Sequence, residues 1–264
     1  MQPTIAIAPK TIARVLLWVV GVIMLLSLLG QIANHVFGYG RLMGYVPLTD
    51  VNGEANIPAW FSSAMLLTCG ALLGAIALLN RTKGDRFTRH WGALSLVFCL
   101  LSLDETAELH ERLIAPLRTG LNATGFLYST WILVGGALVG LLALSYFRFL
   151  KNLPSRSRNL FLISAGIYIG GAIAVEALHG YYLYAHGRDL GYAVIAMVEE
   201  SMEMFGLIAF IYTLLTHLAW MGAGQIQLAI QVPQAAGDRP VSATEAAYLP
   251  VSQSPTQQGL DSRS

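Results

Sequence analysis

Residues 100–113 read LLSLDETAELHERL. They continue an apolar run that begins near residue 91, and they set Asp104, Glu105, Glu108, His110, Glu111 and Arg112 within nine positions. If this run crosses a membrane, four carboxylates stand where lipid would be. On insertion scales an acid at the bilayer centre costs at least about 2.5–3.5 kcal/mol. The stretch therefore predicts a helix whose charged side is turned toward protein, water, cations or protons.

The rest of the chain supports the membrane reading. Of 264 residues, 55% are hydrophobic and only 12% charged, with a mean hydropathy of +0.57; soluble domains carry about 25% charged residues. A span needs about 20 mostly apolar residues. Six segments qualify, at roughly 12–36, 57–79, 91–113, 128–148, 159–183 and 190–218. The fold class expected is thus all-α, a polytopic membrane helix bundle of six transmembrane helices. The first segment exceeds the about 7–15 apolar residues of a signal peptide and lacks a cleavage pattern, which predicts a retained span.

Orientation follows from the basic residues. Lys10, Arg14, Arg81, Lys83, Arg86, Arg89, Arg148, Lys151, Arg156 and Arg158 flank one set of ends, against Arg41, Arg112, Arg118 and Arg188 on the other. The positive-inside rule places both termini in the cytoplasm. Residues 1–11 then form a cytoplasmic N-terminus and 12–220 the transmembrane domain. Residues 221–264, rich in Gln, Pro, Ser and Ala, read as a disordered cytoplasmic tail. Asn56 before Ile57-Pro58 reads as a helix cap. Cys69 and Cys99 lie in apolar runs and read as small buried hydrophobes. No Walker, Rossmann or zinc-finger pattern and no basic, aromatic-laced patch is present, so the expected partner is the bilayer and not nucleic acid.

Eight of the fifteen acids fall inside expected spans: Asp104, Glu105, Glu108, Glu111, Glu176, Glu199, Glu200 and Glu203. At about 100° per residue, Asp104, Glu108 and Glu111 share one helical face with Glu105 at its edge, and His110 points away unless the helix loosens. Glu199 and Glu203 share a face with Tyr192, and Glu200 flanks it. Glu176 and His179, at i and i+3, are neighbours. Ala165, Gly166, Ala172 and Gly180 on the Glu176 side would let another helix approach closely. Counted at about 1.5 Å per residue from the cytoplasmic ends, these acids lie about 20–29 Å deep, in the outer half of the membrane. His35 at the end of the first span and Glu54 just above the second add to the same level. The polar groups are expected to converge on one exoplasmic site.

Three kinds of chemistry could hold them there. Clustered carboxylates with one or two histidines suit iron, manganese or zinc. Ferritin-like di-iron bundles combine Glu from two helices with Glu-x-x-His from two others, and Glu176-Ala-Leu-His179 supplies one such motif. On that reading Glu105, Glu108, Glu111, Glu176, His179, Glu199 and Glu203 are candidate metal ligands. Asp104 or Glu200 would carry protons, with Glu54, His35, His110 and Tyr192 accessory. The metal would serve oxidation or hydrolysis of a lipid-like substrate entering between helices. Alternatively, acids held close share protons, and the stripe Tyr192, Glu199, Glu203, Thr213 and His217 would suit a proton- or cation-coupled transporter. A non-catalytic assembly factor with hydrogen-bonded acids is the third reading. For single residues simpler roles compete. Glu108 and Arg112 have the spacing of an intrahelical ion pair, and Gly170-Gly171 reads as a packing surface.

Taken in order, GEANIPAWFSS, SLDETAELHE, GGAIAVE and EESMEMFG resemble a widespread, uncharacterised family of bacterial multi-pass membrane proteins, over roughly residues 45–215. The resemblance implies an integral protein of a bacterial inner membrane. It singles out Glu54, Asp104, Glu105, His110, Glu111, Glu176, Glu199, Glu200 and Glu203, and implies no reaction.

Overall fold

The structure is a computed structural model that describes residues 5–6, 8–222 and 227–228. The expected tail over 221–264 and the first residues of the chain fall almost wholly outside the described residues. Apart from two-residue extended segments at Ile5–Ala6 and Gln227–Leu228, the described chain is helices and their connections. The helical unit spans Ala6–Gln227.

Helix α1 runs over Pro9–His35. After a loop containing the short α2 (Tyr45–Thr49), α3 spans Ile57–Thr82. Its start is the expected one: the Asn56 side chain accepts from the Ala59 backbone N–H at 3.1 Å, with proline in the first turn. Helix α4 covers Thr88–Ala107 and α5 Leu109–Leu121. Helix α6 (Trp131–Asn152) leads to α7 (Ser155–Ile169), which continues through a six-residue π-helical stretch, Gly170–Val175, into α8 (Glu176–His186). Helix α9, Leu190–Met221, closes the unit, capped by Asp189 accepting from Tyr192 N–H at 2.9 Å.

Five helices are long and apolar enough to cross a membrane: Pro9–His35, Ile57–Thr82, Trp131–Asn152, Ser155–His186 and Leu190–Met221. The sixth expected span, 91–113, differs. Its helix stops at Ala107, where Glu108 takes a left-handed conformation (φ 55°) and a new helix starts. Of the charges that made this stretch unusual in sequence, Asp104 and Glu105 stand in the last turn of α4, while Glu108, His110, Glu111 and Arg112 lie at and beyond the break. The helical-wheel grouping of Asp104, Glu108 and Glu111 does not survive it, and His110 swings back instead of pointing away.

Helix α9 is the most buried of the five and packs against α1, α3 and α7. Two glycines set how close its neighbours come. A Cβ on Gly206 would sit 2.7 Å from the Tyr168 backbone nitrogen, and one on Gly171 would sit 3.0 Å from the Glu199 carbonyl oxygen. The α7–π–α8 rod can therefore lie directly on the acidic stretch of α9, the close approach that small residues permit. Gly166, expected on that contact, has no neighbour a Cβ would meet. Helices α3 and α4 are joined by hydroxyls: Ser63 Oγ donates to the Ser102 carbonyl at 2.8 Å, Ser102 Oγ to the Ser63 carbonyl at 2.9 Å, and Ser95 Oγ to the Gly70 carbonyl at 2.7 Å.

The end of the bundle near residues 82–88 and 152–155 is basic in sequence and aromatic inside. Phe149 is buried edge-on against Trp91, Phe87 and Tyr146. The opposite end carries the loops 36–56, 122–130 and 187–189 and holds the polar site.

Candidate metal centre

Glu176 opens α8 directly after the π-helical stretch, and its backbone N–H donates to the Gly171 carbonyl, five residues back. The wide turn sets the phase in which α8 presents Glu176 and His179 to α9. As their spacing predicts, the two lie together: Nδ1 of His179 is 3.5 Å from Glu176 Oε2. From α9 comes Glu199, whose Oε2 lies 2.8 Å from the same Nδ1. His179 and Glu199 are buried, at 6% and 8% exposure. One ligand atom from each of the three residues lies within 4.8 Å of the other two.

The close contact within this trio is not a hydrogen bond. Glu199 Oε2 has no hydrogen-bond partner despite its 2.8 Å approach to the imidazole, and His179 Nε2 has none either. Buried polar atoms without partners are rare and expensive, and a proton or a cation held by Glu199 Oε2 and the facing His179 Nδ1 would satisfy this pair. Two carboxylates and an imidazole suit iron, manganese or zinc by donor type. Three protein ligands would leave a coordination position open, as in catalytic sites.

Around the trio, other groups fix its members. Trp131, the first residue of α6, donates its indole N–H to Glu176 Oε1 at 3.3 Å. The Tyr192 ring packs 4.2 Å from the His179 ring, and its hydroxyl accepts from Asn52 Nδ2 at 3.0 Å. Glu176 and His179 of the trio border a cavity of about 730 Å³ at the loop end, lined also by His35, Glu54, Glu111 and Tyr192. Glu54, in the loop before α3, has an unpartnered buried Oε2. Burial, reinforced by nearby Glu111, pushes its carboxyl up to about 7.

The remaining acids form a second group. Asp104 accepts both the backbone N–H of His110, at 2.9 Å, and contacts its Nδ1 at 2.8 Å. That double contact depends on the left-handed turn at Glu108, an unusual conformation for a residue with a side chain. His110 in turn packs 4.9 Å from Trp131, so one indole touches both groups. Glu105, half-buried on α4, lies within electrostatic reach of Glu54 and Asp104. Glu203, one turn beyond Glu199, faces Glu105 and the Tyr168 hydroxyl, and Glu200 faces Glu203 and Glu105. Glu108 forms no ion pair with Arg112 within 4 Å among the described residues; it serves as the helix break.

Of the expected ligands, then, Glu176, His179 and Glu199 come together. Glu105 and Glu203 stand beside them in a second acidic group, Glu111 reaches the cavity wall, and Glu108 is taken up by the backbone turn. Sequence reasoning missed Trp131 and Asn52. The first could have been noticed as an indole at the start of a span level with the acids; the second has no local signal.

These features define an all-helical protein with five membrane-length apolar helices and a buried carboxylate–imidazole cluster. The chain belongs to the family described as a domain of unknown function (DUF8692), which matches residues 11–218. No curated protein and no solved structure matches the chain.

Proposed function

We propose that the protein is an inner-membrane metalloprotein whose Glu176, His179 and Glu199 hold one iron, manganese or zinc ion. It would serve oxidation or hydrolysis of a lipid-like substrate admitted to the loop-end cavity. The observation that carries this reading is the Glu176–His179–Glu199 trio, with His179 and Glu199 buried and Glu199 Oε2 lacking a hydrogen-bond partner beside His179 Nδ1. In this reading α4 with the start of α5 makes the sixth span, the basic end is cytoplasmic, and the cavity opens on the exoplasmic side.

A bound ion would supply Lewis acidity or redox capacity toward oxygen or water. The chain's own groups do the rest. Trp131 and Tyr192 hold the first ligands in place, as outer-shell partners do in metal sites. The His110 ring, oriented by Asp104 through Nδ1, keeps Nε2 for taking or giving a proton. Glu105, Glu200 and Glu203 form a store of exchangeable protons next to it.

The test is metal analysis of detergent-purified protein beside Glu176→Ala, His179→Ala and Glu199→Ala. Near-stoichiometric transition metal in the parent and its loss in each variant is expected. A parent free of transition metal under every preparation removes the proposal.

A second reading draws on the α9 stripe below the trio, where buried Thr213 and His217 pair with Ser164 (3.4 Å) and Ser157 (3.1 Å). These polar pairs would suit a proton- or cation-coupled transporter. It predicts a proteoliposome flux that follows a pH gradient and disappears in Glu199→Gln.

A further inference from the structure

The cavity that borders the trio also carries two arginines, Arg118 and Arg188, which the charge count along the chain uses only to orient the bundle. Neither has a carboxylate within 4 Å among the described residues, whose ion pairs all involve histidine. Arg118 is nevertheless held firmly. Its Nε donates to the Tyr128 carbonyl at 2.7 Å, and its guanidinium carbon lies 3.5 Å from the centre of the Tyr128 ring. Stacking and one anchored nitrogen fix the plane of the fork and leave both terminal nitrogens without an acceptor among the described residues. Arg188, lining the same cavity, lies over the Tyr192 ring at 5.7 Å, the same ring that packs on His179.

An unpaired, pre-oriented guanidinium on a cavity wall is the arrangement that receives an oxyanion through two parallel hydrogen bonds. A helix C-terminal charge accounts for an arginine near the end of α5, but not for its stacked, acceptor-free fork. Four acids share this cavity, Asp50, Glu54, Glu111 and Glu176, and none lies within 4 Å of either arginine. Asp50 already accepts from Gln31 Nε2 at 2.8 Å and from Asn52 N–H at 3.1 Å, and Glu111 is exposed at the rim. Two guanidinium groups lining one cavity suit a tetrahedral anion, whose oxygens point in several directions, better than a planar carboxylate. Ile114, Ala115 and Leu183 give the same cavity an apolar side.

We infer that the loop-end cavity binds the phosphate head of an amphiphile, with Arg118 as its principal anchor and Arg188 as the second. This rests on the metal reading only in naming the substrate of that centre; the binding site stands on its own geometry.

The experiment titrates the purified full chain, in nonionic detergent with chelator, by calorimetry with hexyl phosphate and separately with inorganic phosphate. Saturable binding of hexyl phosphate is expected, with inorganic phosphate weaker by at least about tenfold, and Arg118→Gln weaker by at least about tenfold at unchanged melting temperature. If Arg118→Gln fails to fold, Arg118→Lys decides, since it keeps the charge and removes the fork; a several-fold loss is expected there. Binding unaffected by a folded Arg118 variant overturns the inference. Equal affinity for inorganic phosphate overturns the amphiphile and leaves a free-phosphate site. The chelator keeps transition metal off the protein throughout, so hexyl phosphate binding is read independently of the metal centre. A metal analysis that fails for Glu176→Ala would thus break the metal reading without touching this one.

Discussion

His90 and His217, near the basic end, are surrounded by rings. His90 lies parallel to Phe149, with centroids 5.7 Å apart and planes 2° apart, and His217 stacks on Trp91 at 5.1 Å. His110 and His179, near the loop end, each contact a carboxylate at 2.8 Å. The residue type is the same at both ends. Imidazole among aromatics is a flat packing piece; imidazole against carboxylates is a base, a ligand or half of a proton pair. What separates architecture from chemistry in this molecule is the company each histidine keeps, and that company is assembled by helices distant in sequence.

That contrast can be attacked from either side. The largest effect is expected at the aromatic end. Phe149 is 1% exposed, and Phe149→Ala should cost about 3–5 kcal/mol of stability while metal content stays that of the parent; loss of metal in folded Phe149→Ala would show the two ends to be coupled. Next comes Trp131→Phe, which keeps an aromatic ring and removes the N–H that holds Glu176. Metal affinity should fall about 10–100-fold with little change in melting temperature, measured by competition with a chelating dye. Gly206→Ala tests the junction between the ends. A methyl group facing the Tyr168 backbone at 2.7 Å should destabilise the protein by about 1–3 kcal/mol. By forcing α7 away from α9, it should also lower metal occupancy, unlike Phe149→Ala.

The smallest effect is a pH dependence confined to the loop end. Glu54 titrates near 7 in the folded protein, above its ordinary 4.5. The unfolded chain therefore loses this proton first. Its contribution to stability is complete below pH 4.5 and is lost as the pH rises through 7. Melting temperature followed from pH 4 to 8 should show a shallow decline that Glu54→Gln flattens, modest because the side chain is partly exposed.

Much of this was readable from the chain. Apolar length located the helices, Asn56-Ile-Pro marked the start of α3, and the i, i+3 spacing of Glu176 and His179 placed both on one face. The approach of α9 was foreshadowed by small residues, although Gly171 and Gly206 carry that contact and Gly166 does not. The break at Glu108 was not readable, because neither glycine nor proline marks it and its acids recur at helical spacing. What stabilises it, the double contact of Asp104 with His110, exists only once the chain has turned. Trp131 and the Arg118–Tyr128 stack depend likewise on loops whose path no local pattern dictates.

The π-helical stretch has one more implication. A turn that holds five residues between donor and acceptor, where a regular helix holds four, contains one residue more than the rod needs to keep its two halves in phase. The helix carrying Glu176 and His179 thus has a unit of slack just before the centre. Closing that turn by one residue would draw the rod into a uniform helix without dragging either half out of its seat, so length can be exchanged here with less disturbance than inside α8 or α9.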